Sequence, residues 1–169
     1  MAIIDIVRFP DARLAEASKP IDPSAIASAS MQSFFDDLMD TMYAKDGVGL
    51  AAIQIGNPLR VFILNIAAST GGHEEKYFIN PMVSVGGVLV SGTEGCLSFP
   101  GIYLHISRGE TVSVTASDRD GAEFVWEAKG LLARAVQHEM DHLDGKLFID
   151  RVGHLKRQMT LKKYAKSRG

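Results

Sequence analysis

The pentapeptide His138-Glu139-Met140-Asp141-His142 constrains this chain more than any other stretch. Two histidines four positions apart fall about 40° apart around a helix, so both imidazoles can grip one metal ion, with Glu139 beside them. The whole segment 130–144 keeps a helical period. Leu132, Val136, Met140 and Leu143 gather on one flank, while Leu131 and Ala135 lie toward the histidine face. Such a helix has to be packed: one flank enters a core and the histidine face borders a cavity. The alternative, that both histidines are merely satisfied core or surface groups, is weakened by the intervening glutamate and the apolar flanks.

The rest of the chain supplies what packs around that helix. An amphipathic helix is expected over 24–46, where Ile26, Met31, Phe34, Phe35, Leu38 and Met42 recur at mostly three- and four-residue spacing behind Asp22-Pro23, and Gly47 stops it. Strand-like runs follow at 60–66, 76–79, 82–90, 111–117 and 123–127, divided by Gly56-Asn57-Pro58, Gly71-Gly72, Asn80-Pro81 and Asp120-Gly121. A last helix is expected over 154–166. Helices flanking a strand-rich middle, without regular strand–helix alternation, imply an α+β fold. It would consist of short, mostly antiparallel strands around a central helix carrying the histidines, closed by a C-terminal helix. The 169 residues, 46% hydrophobic and 22% charged, suit a single domain spanning 1–169 that buries its core without disulfides. One cysteine cannot form an internal disulfide, which favours a reducing compartment.

Charge is divided unevenly. Residues 1–150 hold all 20 acidic residues and 11 basic ones, whereas 151–169 hold 7 basic residues and no acid. This basic C-terminal helix has two readings: lysines simply solvated beside a complementary helix dipole, or docking to ribosomal RNA. Asp5 and Arg8 interrupt the opening segment, and no apolar run is long enough for a membrane span, so a cytoplasmic location is expected.

A catalytic site of this type needs a third ligand. Downstream sources fail: the position where a third histidine would recur is Phe148, and no acid follows Asp150. The ligand therefore lies upstream, among Cys96, Glu94, His105, His73 and the remaining carboxylates. Cys96 is the best of these, because a thiolate binds borderline-soft metals tightly and Glu94-Gly95-Cys96-Leu97-Ser98 is a small-residue turn. The competing reading is a buried free cysteine. Two histidines and a thiolate would leave a fourth position open, as catalytic sites require.

Gly47-Val48-Gly49-Leu50-Ala51-Ala52-Ile53-Gln54 fits a degenerate dinucleotide fingerprint, but it follows a helix rather than a strand, which excludes that reading. Paired glycines let backbone approach a ligand, and Gln54 offers an amide in an apolar run; a tight turn with Gln54 bonded to backbone is the alternative.

Taken together, Gly47 to Gln54, Glu94 to Ser98 and Gln137 to Gly145 resemble the three signature motifs of the peptide deformylases, in order and with suitable spacing. The resemblance extends through Arg8-Phe9-Pro10, Ile79-Asn80-Pro81, Ser117-Asp118-Arg119-Asp120-Gly121 and Leu147-Phe148-Ile149-Asp150. It implies a monomeric hydrolase that removes the formyl group from N-terminal formylmethionine of new polypeptides, releasing formate. It also implies one divalent ion, Fe²⁺ in cells with Zn²⁺, Ni²⁺ or Co²⁺ able to substitute. By position, Cys96, His138 and His142 would be ligands and Glu139 the general base and acid, with the Gln54 side chain and Leu97 N–H stabilising the oxyanion. A methionine pocket would be walled by Val48, Leu131 and Ala135, with Gly49 and Gly95 beside the substrate. Arg134 has two readings, snorkelling from the pocket rim or belonging to the solvated face, of which the solvated one is expected; Asp46 is expected to pair with Arg108, and Tyr103 and His105 lie in a segment expected to border the peptide groove. A rival from another class is a non-enzymatic ribosome-binding module with a structural metal, against which intact Glu139 and Gln54 argue.

Overall fold

A computed structural model describes residues 2–168; Met1 and Gly169, the ends of the expected 1–169 domain, lie outside the described residues. The described residues form a five-stranded antiparallel sheet in the order β1 to β5, with three α-helices: an α+β fold, as the sequence implies. The strands are β1 (Gly49–Ala51), β2 (Val61–Asn65), β3 (Glu75–Cys96), β4 (Phe99–Ser117) and β5 (Glu123–Lys129). The helices are α1 (Ala29–Ala44), α2 (Leu131–Leu143) and α3 (His154–Ser167).

The helix expected over 24–46 is two elements. Asp22 caps a short 3-10 turn at Pro23–Ala25, and Ser28 then accepts from Met31 N–H to start α1. Beyond α1, Asp46 turns the chain at φ 55° into the glycine segment. The two runs 76–79 and 82–90 are one strand: the pairing of β3 with β4 shifts register between Ile79 and Met82, so Asn80-Pro81 is a bulge and not an end. The segment 101–107 is also strand, the first half of β4, with Ile102, Leu104 and Ile106 buried alternately.

All five residues of β2 are buried, because helices cover both faces. Phe62 and Leu64 face α2, packing with Phe78, Val112, Val114, Ala133, Val136 and Leu143. Val61 and Ile63 face the other way, onto Phe35, Leu38 and Met42 of α1. Arg119 fastens the β4–β5 hairpin loop to α1, bonding Asp36 at 2.9 Å and lying 5.1 Å over the Tyr77 ring.

A third cluster joins α3 to the opening segment. Tyr164 is buried and its hydroxyl donates to Phe9 O at 2.9 Å; Phe9 N–H reaches Ser98 O at 3.0 Å, and Val7 N–H reaches Gln54 O at 2.7 Å. Among the described residues no helix is long and apolar enough to cross a membrane.

Phe78 is fully buried, stacks on Phe62 at 4.7 Å and meets Trp126 at 5.3 Å. Phe78→Ala should cost about 3–5 kcal/mol through lost burial and the cavity left behind. A thermal melt should show Tm lower by roughly 10 °C.

Candidate metal centre and active site

Cys96 ends β3, pairs with Phe99 across the tight Leu97-Ser98 turn, and so stands at the tip of the β3–β4 hairpin. The turn delivers its sulfur to α2: Sγ lies 3.4 Å from His142 Nε2, and the donor atoms of Cys96, His138 and His142 all lie within 4.8 Å of one another. Of the other expected ligand sources, His73 stacks on Tyr43 at 4.2 Å, and His105 lies beside Thr93 on an exposed strand face. Glu94 is not at the centre but behind it. Its Oε1 is 2.9 Å from His138 Nδ1, which leaves Nε2 as that ring's ligating atom.

Electrostatics suit a cation. Burial pushes the Cys96 thiol up, but the His142 and His138 imidazoles outweigh it and bring it down to about 5, favouring thiolate. Burial works against protonated His138, yet hydrogen bonds to Cys96 and Glu94 raise it well above its ordinary value. Positive charge is therefore welcome between these groups, and a bound cation would take the place of the imidazole proton. His142 Nδ1 and Glu139 Oε1 are buried without a hydrogen-bond partner among the described residues. A buried carboxylate oxygen left without a partner beside three soft and borderline donors fits a divalent ion with a reacting molecule alongside.

Burial also raises Glu139 above the usual carboxylate range, as a proton-transfer group requires. Gly49 makes space for it: a Cβ there would stand 2.7 Å from Glu139 Oε2 and 2.8 Å from Leu64 Cδ2. Gln54 sits in the 3-10 turn Ala52–Ile55, 2% exposed. Its Oε1 accepts from Ala51 N–H at 3.0 Å, which orients Nε2 toward Ser98 Oγ at 3.2 Å and Cys96 Sγ at 3.8 Å. Its amide donors therefore face Cys96 and Ser98.

A cavity of about 650 Å³ opens onto these groups. Val48 and Gly49 line it with Gly95 and Leu97, and Leu131 and Ala135 line it from α2, so every expected substrate-side residue borders one space. Leu131 is 52% exposed, which places it at the mouth. Tyr103 is at the rim as well, 71% exposed, its ring crossing the place a Gly95 Cβ would take.

Two expectations are corrected. Asp46 does not pair with Arg108: the Arg108 guanidinium is buried, bonds Glu94 twice (2.8 and 2.9 Å) and bonds Asp141 at 2.8 Å. Arg151 closes that network on Asp141 from the other side. Arg134 is not on a solvated face: only 13% of its side chain is exposed, and it bonds Glu94 at 2.9 Å. Desolvated carboxylates drew both arginines inward. Burial alone would raise Glu94, but Arg108 and His138 hold it down at about 2.

These features fit a metal-dependent hydrolase, with Cys96, His138 and His142 able to hold a metal ion beside the cavity. The family model described as polypeptide deformylase matches residues 3–158. The peptide deformylase of Saccharophagus degradans is 44% identical over 167 residues, covering 98% of this chain and 94% of that protein. A peptide deformylase crystal structure from Legionella pneumophila superposes with TM-score 0.90 at 41% identity, covering 99% of this chain and 96% of that one. The Ehrlichia chaffeensis peptide deformylase in complex with actinonin gives TM-score 0.90 at 34% identity, covering 99% and 98% of the two chains. The chain belongs to the polypeptide deformylase family and is a hydrolase with that activity. The non-enzymatic reading is left without support.

Gly49→Ala tests the packing of the general-base candidate. The added methyl must push the Glu139 carboxylate aside, and a misplacement of about 1 Å can cost on the order of 10²-fold in rate. Steady-state kinetics on metal-loaded protein should show that loss in kcat, with metal content unchanged.

Proposed function

We propose that this enzyme hydrolyses the N-formyl group of N-formylmethionyl peptides, with Cys96, His138 and His142 holding one divalent ion and Glu139 moving the proton. The observation that carries this reading is the cavity lined together by Glu139, Cys96, His138 and Gln54, with Glu139 Oε1 buried and unpartnered among the described residues. A divalent ion held there, Fe²⁺ by preference with Zn²⁺, Ni²⁺ or Co²⁺ able to replace it, would supply Lewis acidity, acidifying water and polarising the formyl carbonyl.

The chain's own residues supply the rest. Glu139 accepts a proton from the attacking water and returns it to the departing amine nitrogen, which is too poor a leaving group as an anion. Its burial suits both halves of that exchange, since a raised pKa lets it hold the proton until the C–N bond breaks. Gln54 Nε2–H and Leu97 N–H meet the negative charge that grows on the former carbonyl oxygen. Because Ala51 fixes the Gln54 amide, that donor needs little reorientation during reaction. Val48, Leu131 and Ala135 form an apolar slot for the methionine thioether, and Gly49 and Gly95 let the peptide backbone lie close.

We place this activity in the cytoplasm, in a monomer of one catalytic domain, where new chains emerge. Ribosome contact would run through α3, whose Lys156, Lys162, Lys163 and Lys166 are exposed. Arg157 and Arg168 serve the fold instead, bonding Asp150 and Phe9 O respectively. Deleting α3 would remove buried Tyr164, so charge reversal is the cleaner test. Lys162→Glu, Lys163→Glu and Lys166→Glu combined should weaken ribosome binding and flatten its salt dependence. Binding equal to wild type at every salt concentration would overturn ribosome docking through α3.

The reaction is tested by formate release from a formyl-Met-Ala-Ser peptide, using protein purified anaerobically with metal measured on the same sample. Glu139→Gln should retain one equivalent of metal and lose on the order of 10²–10⁴-fold in kcat. Gln54→Leu should lose on the order of 10²-fold. Folded, fully metallated wild type that releases no formate would overturn the proposal.

A further inference from the structure

Arg134 lies one turn ahead of His138 on α2, and both side chains end on one carboxylate. Arg134 Nη1 is 2.9 Å from Glu94 Oε2, and His138 Nδ1 is 2.9 Å from Glu94 Oε1. The same guanidinium donates to Ile106 O on β4 at 2.7 Å and to Val90 O on β3 at 2.6 Å. It lies flat over Gly92, where a Cβ would stand 2.9 Å from Cζ. One planar group therefore ties both strands of the ribbon, the carboxylate behind the centre and the first turns of the ligand helix.

Arg108 does not duplicate this. It grips Glu94 from β4 and reaches α2 through Asp141, beyond His138 in the chain. Two attachments to Glu94 at positions i and i+4 of one helix fix both the rotation of α2 and its height on β3, because side chains at that spacing share a face. A five-donor fork can hold a carboxylate and two carbonyls at once, which a lysine cannot.

We propose that Arg134 is a positioning residue: it locks Glu94 and α2 to the β3–β4 ribbon so that His138 keeps Nδ1–H on Glu94 and presents Nε2 to the ion. The inference rests on the metal-centre reading above. The side chain has a second, separable part, since Arg134 also lines the cavity beside Leu131 and Ala135, with its charged head turned onto the strands.

Arg134→Met keeps an apolar stem and removes the head. Changes to groups that orient metal ligands typically cost about 10–100-fold in metal affinity or activity. Competition between the protein and a chelator for Zn²⁺ should show affinity about tenfold weaker. Saturated with metal, the variant should lose about fivefold or more in kcat, with KM within about twofold. Gly92→Ala leaves every charged group in place yet crowds the guanidinium, and should weaken Zn²⁺ binding in the same direction. Wild-type Zn²⁺ affinity and kcat in both variants would overturn the proposal. If Arg134→Met does not fold, Gly92→Ala alone decides. His138→Ala separates the two levels: loss of Zn²⁺ there, with Arg134→Met unchanged, rejects the role of Arg134 and keeps the metal centre. Full Zn²⁺ binding by His138→Ala rejects both.

Discussion

The Glu94 carboxylate is the interaction on which the rest of this site depends. Two arginines and a histidine donate to its two oxygens where the carboxylate is buried, and a single unpaired charge there would be severely penalised. Each donor comes from an element that must be in place for the centre to exist: β4 through Arg108, and α2 through Arg134 and His138. Asp141 extends the same logic, accepting from Arg108 and Arg151. Charged groups of this kind define geometry more than they add stability, because removing any partner strands the others. The Cys96, His138 and His142 cluster thus has a charged backing on one side and a cavity on the other.

The apolar framework is arranged to the same end. With α2 on one face of β2 and α1 on the other, β2 is closed to solvent along its length and its neighbour β1 cannot drift. β1 carries Gly49, so the position of the Glu139 carboxylate is set by a strand that is itself held from both sides. Packing and chemistry share residues here: Met140 and Val136 fill the core while the adjacent His138 and Glu139 face the cavity.

What the sequence made legible was local. His138, Glu139 and His142 are readable because one helix carries them at fixed spacing, and Cys96 because it is the one thiol in a small-residue turn. Leu131 and Ala135 lie toward the histidine face of that helix, whereas Val48 is expected as a pocket wall only from the family resemblance; all three border the cavity. The charge partners were not legible: nothing near Arg108 or Arg134 in the chain names Glu94, and only the folded hairpin brings them together. The pairing of Asp46 with Arg108 is an expectation from the family resemblance alone, and the paired strands give Arg108 to Glu94 and Asp141 instead. The strand at 101–107 did carry a signal, the alternation of Ile102, Leu104 and Ile106 with Tyr103, His105 and Ser107, obscured by Pro100-Gly101 just before it. At Asn80-Pro81 a break was readable, but a bulge and a strand end share the same residues.

The bonds from Tyr164 to Phe9, from Phe9 to Ser98 and from Val7 to Gln54 join distant parts of the chain around the β3–β4 turn. The opening segment is thus held by partners from three well-separated stretches of the chain. The opening segment has its hydrogen-bonding sites on Gln54 and Ser98 early, but the ring that clamps it arrives only with α3, more than 150 residues later. The clamp behind the Cys96 turn is therefore complete only where α3, far along the chain, packs its Tyr164 onto Phe9.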